Sequence, residues 1–231
     1  MTDLRRPEPL DPSRHDRGGF DSGELALDDW LRRYAGQNRR GDTAATWVIA
    51  TPEDRVVAYA SLAMTAIDRS AAPDLVAKRA PDPVPALLLG RLAVDRRSSG
   101  LGVGTALVAH VLATAVELNA KAACRAIVVD ALHERARAWW ERLGFHPFDP
   151  DEPTGTELYL LTSEIEATLE ALGHEVPRGA ARPTPRDDRP FARDPASPPP
   201  QRSVRLTVTV RPPALTAIAR TLRRSDDSRL R

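Results

Sequence analysis

Gly90-Arg91-Leu92-Ala93-Val94-Asp95-Arg96-Arg97-Ser98-Ser99-Gly100-Leu101-Gly102-Val103-Gly104-Thr105-Ala106-Leu107 reads as three pieces joined end to end. The first completes an apolar run, Ala86 to Leu89 and Leu92 to Val94, interrupted only by Gly90 and Arg91, as in a buried strand. A polar turn follows, then glycines at 100, 102 and 104, then Leu107, Val108, Val111, Leu112 and Ala115 at helical spacing. Glycine permits positive φ and leaves no Cβ between main chain and ligand. A helix N-terminus offers unbonded N–H groups at the positive end of its dipole. Together they cradle a phosphate or pyrophosphate. No Gly-Lys-Ser/Thr follows, so this is not a P-loop. A dinucleotide-binding βαβ unit also fits poorly. It wants an acidic residue about 20 residues further on, at the end of a second strand, whereas Glu117 falls inside the helix and Asp130 lies too far along. A tight strand-to-helix turn without a ligand remains the alternative for this stretch taken alone.

The chain has 231 residues, enough for one domain and an appended segment. Its net charge of +1 creates no overall field for nucleic acid, so such contacts need local patches. Cys124 is the single cysteine, so no disulfide framework forms, which fits a reducing cytoplasm. No membrane span and no signal peptide are expected. His15, His110, His146 and His174 show no metal-ligand spacing, and no metal site is expected.

Upstream, residues 1–19 are polar with scattered prolines and predict a short strand or an extended arm. Asp21 and Glu24 fit a capping box, and Phe20 with Leu25 a hydrophobic staple. The helix they start carries a stripe of Leu27, Trp30, Leu31, Tyr34 and Ala35 and stops at Gly41. Arg32, Arg39 and Arg40 lie off that stripe or at the helix end. They form either a solvated face or a basic patch for phosphates, joined by Lys78 and Arg79 from the Pro- and Ala-rich loop 68–85. Thr46 to Ala50 and Val56 to Met64 predict two strands. Downstream, Cys124 to Val129 predicts a strand, and His133 to Leu143 a helix with Ala136, Trp139, Trp140 and Leu143 on one face. Gly144 ends it, Phe145 begins a short strand, Glu157 to Leu161 forms the last strand, and a helix runs from Ser163 to about Leu172. Residues 175–202 are dominated by Pro, Arg, Ala and Asp and cannot bury enough apolar surface to offset their ordering entropy. Two parts are therefore expected: a folded domain over 1–172 and a largely disordered tail over 173–231. Within the tail, residues 203–224 hold a short strand-helix pattern, Val204 to Val210 and Ala214 to Leu222, which is half of a ribbon-helix-helix unit.

This order of elements is similar to the GNAT superfamily of acetyl-CoA-dependent N-acetyltransferases. The glycine stretch resembles the family's pyrophosphate loop, Q/R-x-x-G-x-G/A. Ala136-Arg137-Ala138-Trp139-Trp140-Glu141-Arg142-Leu143-Gly144-Phe145 resembles its second signature, A-x-x-F-Y-E-x-x-G-F. A narrower resemblance, to the TacT and AtaT kind of GNAT toxins, rests on His15, Phe20-Asp21-Ser22-Gly23, Leu27-Asp28-Asp29-Trp30-Leu31, Pro81-Asp82-Pro83-Val84-Pro85 and Leu88 to Asp95, and covers about residues 3–170. The resemblance implies an α/β (α+β) GNAT fold, with a mixed, mostly antiparallel central sheet flanked by helices. It implies acetyl-CoA as co-substrate, the α-amino group of aminoacyl-tRNA as acceptor, a homodimer, and a ribbon-helix-helix antitoxin as partner. No membrane association is implied.

Carried over by position, Leu92, Ala93 and Val94 bond the pantetheine arm, and a backbone N–H near Val94 polarises the thioester carbonyl. Two registers fit the loop: Arg97 with Gly100 and Gly102, or Ser99 with Gly102 and Gly104. The second agrees better with the flanking Val94-Asp95 and Leu107, and places Ser99, Gly100, Leu101, Gly102, Val103, Gly104 and Thr105 around the pyrophosphate. His133 falls where many relatives carry Asn near the cofactor arm. Trp140 stands where relatives carry the Tyr that protonates the leaving thiolate, and an indole N–H is not a usable acid. Three functions follow from this: an active tRNA-acetylating toxin, an acetyltransferase for another amine, or a CoA-binding protein without turnover that acts through its antitoxin.

Overall fold

The computed structural model describes residues 4–152 and 154–171. The expected tail at 173–231, with its strand-helix pattern, lies outside the described residues. The elements in chain order are β1 (Glu8–Pro9), α1 (Leu25–Arg33), α2 (Ala35–Arg40), β2 (Ala45–Ala50), β3 (Val56–Ile67), α3 (Asp74–Ala77), β4 (Val84–Val94), α4 (Val103–Lys121), β5 (Ala126–Asp130), α5 (Glu134–Arg142), β6 (His146–Pro147), β7 (Glu157–Leu161) and α6 (Ile165–Ala171). One sheet takes all seven strands in the order β1-β2-β3-β4-β5-β7-β6. Only β4 and β5 pair in parallel. This is the mixed, mostly antiparallel sheet expected from the sequence.

The two faces of the sheet are covered differently. On one, α4 lays Leu107, Val108, Val111, Leu112 and Ala115 into a cluster with Leu87, Leu89, Ile127 and Val129 of the strands, joined by Trp140 of α5 and by Ile165 and Leu169 of α6. On the other, Leu31 and Ala35 of the first two helices pack with Phe20, Val48, Tyr59 and Ala93. Helix α4 is long and apolar enough to cross a membrane by length and composition, contrary to the sequence expectation. Its largest apolar side chains are instead buried against the sheet.

The start of α1 departs from the predicted cap. Glu24 is the N-cap and makes no side-chain capping bond. Leu25 is 79% exposed, so no staple forms with Phe20. The buried carboxylate of Asp28 instead reaches back and accepts from the Ser22 N–H at 3.0 Å and the Ser22 hydroxyl at 2.6 Å. That frees Asp21 for another partner. The expected single helix also breaks at Tyr34, and Tyr34, placed on the apolar stripe by the sequence, is half exposed. Gly41 ends the second segment as expected.

Candidate active site

The site begins with a bulge. In the β3–β4 ladder Leu62 faces Leu89 and Ser61 faces Arg91, so Gly90 is the extra residue. Bulges bend a strand and increase its twist. β4 pairs with β5 only as far as Leu89 opposite Val129, one residue before the bulge. Beyond it β4 runs on to Val94, while β5 ends at Asp130 and the chain turns away into α5. The result is a gap between two parallel strands at their carboxyl ends, the place where open α/β sheets take ligands.

The ladder determines what faces this gap. The Asp95 N–H donates to the Val57 carbonyl at 2.9 Å. Bonded pairs alternate along an antiparallel ladder, so Ala93 opposite Tyr59 and Arg91 opposite Ser61 also spend their main-chain groups on β3. Leu92 and Val94 turn their N–H and C=O groups the other way, into the gap. Of the three residues expected to bond a pantetheine arm, Ala93 is therefore the one whose backbone is already engaged.

A 3-10 turn over Arg96–Ser98 leads from β4 into the glycine loop. Gly100 and Gly102 adopt φ of +76° and +77°, a region costly for any residue with a Cβ. Gly102 is the N-cap of α4, and the first helical bond runs from the Ala106 N–H to its carbonyl at 3.0 Å. The N–H groups of Val103, Gly104 and Thr105 therefore have no helical acceptor. They open at the end of the gap beside Leu101, which is 72% exposed. Gly104 serves packing rather than torsion. A Cβ there would stand 3.2 Å from the Val94 Cγ2 and 3.6 Å from the Trp139 ring.

Two arginines fasten this turn to the N-terminal arm. Arg96 pairs with Asp21 at 2.7 and 2.8 Å, and its N–H donates to the Asp21 carbonyl at 2.8 Å. Arg97 donates to Asp95 through Nε at 2.8 Å and a terminal nitrogen at 2.7 Å, and to the Gly19 carbonyl at 2.8 Å. Asp95 is almost fully buried, and the Arg97 guanidinium lowers its carboxyl to about 2. Arg97 is thus engaged with the arm, while Ser99, the other candidate for the pyrophosphate contact, is exposed.

The second signature forms α5. His133 is its N-cap, its Nδ1 accepting from the Ala136 N–H at 3.0 Å. Trp140 is 6% exposed and sits edge-on between Trp139 at 4.7 Å and Phe145 at 5.0 Å, within the core cluster. Its neighbour Trp139 is partly buried and reaches Gly104 in the first turn of α4. The tyrosines lie elsewhere. Burial pushes the Tyr59 hydroxyl far up, and it donates to the Leu27 carbonyl at 2.8 Å. Tyr159 packs with Phe148 and His146 beside β6, and Tyr34 is on the helix surface.

One continuous stretch, an unpaired strand edge, a glycine loop and a helix N-terminus, thus meets the tryptophan pair of α5. Residues 9–145 match the acetyltransferase (GNAT) family.

The chain belongs to the GNAT family.

Among its relatives is a tRNA-acetylating toxin of Mycobacterium tuberculosis (strain ATCC 25618 / H37Rv). It is 39% identical over 150 residues, which are 65% of this chain and 88% of that protein. The structure of AtaT complexed with acetyl-methionyl-tRNAfMet superposes with a TM-score of 0.65 at 30% identity, over 71% of this chain and 98% of that one. A tyrosine-to-phenylalanine mutant of AtaT bound to the C-terminus of the antitoxin AtaR and acetyl-CoA gives 0.61 at 29% identity, over 71% and 97%. The GNAT co-substrate, acetyl-CoA, matches the donor set here: main-chain N–H groups for a pyrophosphate and an extended strand edge for an amide-bearing arm.

The basic residues singled out in the sequence are held differently. Arg32 donates to the Phe20 carbonyl at 2.6 Å and pairs with Asp29 at 3.4 Å. Arg39 donates to the Leu10 carbonyl at 2.8 Å. Both act as struts between the first two helices and the N-terminal arm. Arg40, Lys78 and Arg79 are exposed, the last with φ of +56°.

Proposed function

We propose that this GNAT protein transfers the acetyl group of acetyl-CoA to the α-amino group of aminoacyl-tRNA and so blocks translation as a toxin. The observation that carries this reading is the 39% identity to the mycobacterial tRNA-acetylating toxin across 88% of that protein's length. Residues 1–172 form the acetyltransferase domain and 173–231 an appended segment. The N–H groups from Gly100 to Thr105, with Ser99, hold the pyrophosphate. The Leu92 and Val94 edge holds the pantetheine arm, and the Val94 N–H supports the oxyanion. A tRNA substrate places the protein in the cytoplasm. An antitoxin neutralises it, as AtaR binds AtaT, and its working form is a homodimer.

In the reaction the amine nitrogen bonds to the acyl carbon, a tetrahedral oxyanion forms, the C–S bond breaks, and the proton lost by nitrogen passes to water. An aminoacyl α-amino group titrates near the model range of about 7.7–8.0, so no strong base is required. Alignment of the two substrates and a fixed N–H for the oxyanion supply the rate. The leaving thiolate lacks a protein acid, because Trp140 offers only an indole. Acid assistance is typically worth ~10²–10⁴-fold, so turnover is slow.

The experiment is transfer of labelled acetyl from acetyl-CoA to total aminoacyl-tRNA by the wild type and by Trp140→Tyr. Transfer by both, faster for the variant, is the expected result. Equal rates place the acid position elsewhere. The burial of Trp140 favours one second reading, a CoA-binding protein without turnover that acts through its antitoxin. Acetyl-CoA binding with no transfer by either protein selects it.

A further inference from the structure

Arg91 is the arginine of the central strand that borders the gap. It is the one charged residue of β4, and it stands directly after the bulge and directly before Leu92. Arg96 and Arg97 are tied to Asp21 and Asp95, and Arg32 and Arg39 to carbonyls. Arg91 has no carboxylate partner among the described residues. Among the described residues its only hydrogen bond is to the carbonyl of its own neighbour, Gly90. Its guanidinium carbon lies 6.0 Å from the centre of the Trp30 ring. Trp30 is only partly buried and stacks on Tyr59, with ring centres 5.7 Å apart and planes 10° from parallel. One helical turn on, Tyr34 is 49% exposed.

The bulge determines which face this group occupies. It returns Leu92 and Val94 to the α4 face shared by Leu87 and Leu89, and puts Arg91 and Ala93 on the α1 face. A donor whose pyrophosphate sits on the α4 N-terminus enters the strand gap from the α4 face, so the opposite face is left to the acceptor. A guanidinium with no carboxylate partner beside a partly exposed indole suits a single-stranded nucleic-acid end, where the cation takes a phosphate and the ring packs against a base.

We infer that Arg91, with Trp30, binds the single-stranded 3′ end of the acceptor RNA, the guanidinium on a backbone phosphodiester and the indole against a terminal base. This rests on the aminoacyl-tRNA reading and locates its acceptor subsite.

The test measures binding of the full chain, by fluorescence anisotropy across a salt series, to a 5′-labelled uncharged acceptor-stem RNA with its CCA end. A blunt stem serves as the second probe, and acetyl-CoA affinity is measured by calorimetry. Arg91→Ala weakens binding to the CCA-ended RNA about tenfold and lowers the log–log salt slope by about 0.7, the value for one single-strand phosphate. It leaves the blunt stem and acetyl-CoA unaffected. Arg91→Lys keeps the slope, which also guards against a folding defect in the alanine variant. Trp30→Leu weakens the CCA-ended RNA about tenfold with the slope unchanged. Three results overturn the inference: unchanged affinity and slope in Arg91→Ala, equal loss on both RNAs, or loss confined to acetyl-CoA, which would give Arg91 to the donor. A wild type that binds through Arg91 yet transfers no acetyl group refutes the proposed activity and leaves the subsite standing. A wild type that transfers acetyl while Arg91→Ala behaves identically refutes the subsite alone.

Discussion

Asp95→Asn tests whether the arginine clamp holds the turn that feeds the glycine loop. Asp95 is 2% exposed and accepts from the Arg97 side chain, from the Arg97 N–H at 3.0 Å and from the Asp21 N–H at 3.3 Å. Its carboxyl is lowered from 3.8 to about 2, first by the Arg97 guanidinium and then by these N–H donors. A shift of that size corresponds to about 2 kcal/mol of stability at neutral pH. The folded-state value lies below the unfolded one, so the contribution is complete above about pH 5 and is lost as pH falls through the folded value; roughly half is gone by pH 3. Asparagine removes the charge and turns an amide N–H₂ toward a guanidinium that can only donate. Urea unfolding of wild type and variant should therefore differ by about 2 kcal/mol at pH 7, equivalent to roughly 4–8 °C in a thermal midpoint, and by about half that at pH 3. Acetyl-CoA affinity should fall in parallel, because the turn over Arg96–Ser98 positions Gly100 to Thr105. Equal stabilities at pH 7, or a gap that does not narrow on acidification, would refute the assignment of this stabilisation to the charged Asp95–Arg97 pair.

Gly102→Ala puts a Cβ at φ of +77° with open space around it, so about 1–2 kcal/mol of torsional strain is expected without a clash. Isothermal titration should show weaker acetyl-CoA binding while the far-UV spectrum is unchanged. Arg39→Ala removes the donor to the Leu10 carbonyl and should cost about 1–2 kcal/mol in thermal or urea unfolding; a purely RNA-binding arginine would leave stability untouched. Trp140→Ala empties a site packed by Trp139 and Phe145 and should cost about 3–5 kcal/mol, read from the urea midpoint.

Much of the fold was legible because its signals are local. Alternation and apolar runs marked β2, β3, β4 and β7 to within a few residues, and Gly41 and Gly144 stopped their helices where expected. The loop was legible for the same reason, since a strand, glycines and a helix N-terminus lie within eighteen consecutive residues. The errors arose where a side chain had competing partners. The capping box failed because Asp28 took Ser22 and Arg96 took Asp21. The strut roles of Arg32 and Arg39 were missed because their acceptors, the Phe20 and Leu10 carbonyls, belong to the N-terminal arm.

By itself, then, the sequence determined the order of elements, the strand–glycine–helix layout of the loop, and the tryptophan pair on the helix after β5. All three follow from residue type and short-range spacing. Only the tertiary structure decided that Gly90 is a bulge separating β4 from β5, although a lone glycine inside a strand is a known sign of one. It also decided that Leu92 and Val94, and not Ala93, offer their backbone to the gap, that Trp139 approaches Gly104 in the first turn of α4, and that Arg91 lies over the Trp30 ring with no carboxylate partner among the described residues. Each of these depends on which strand pairs with which, and in what register. Register is set by long-range packing, and a shift of one residue reverses the face of every side chain that follows.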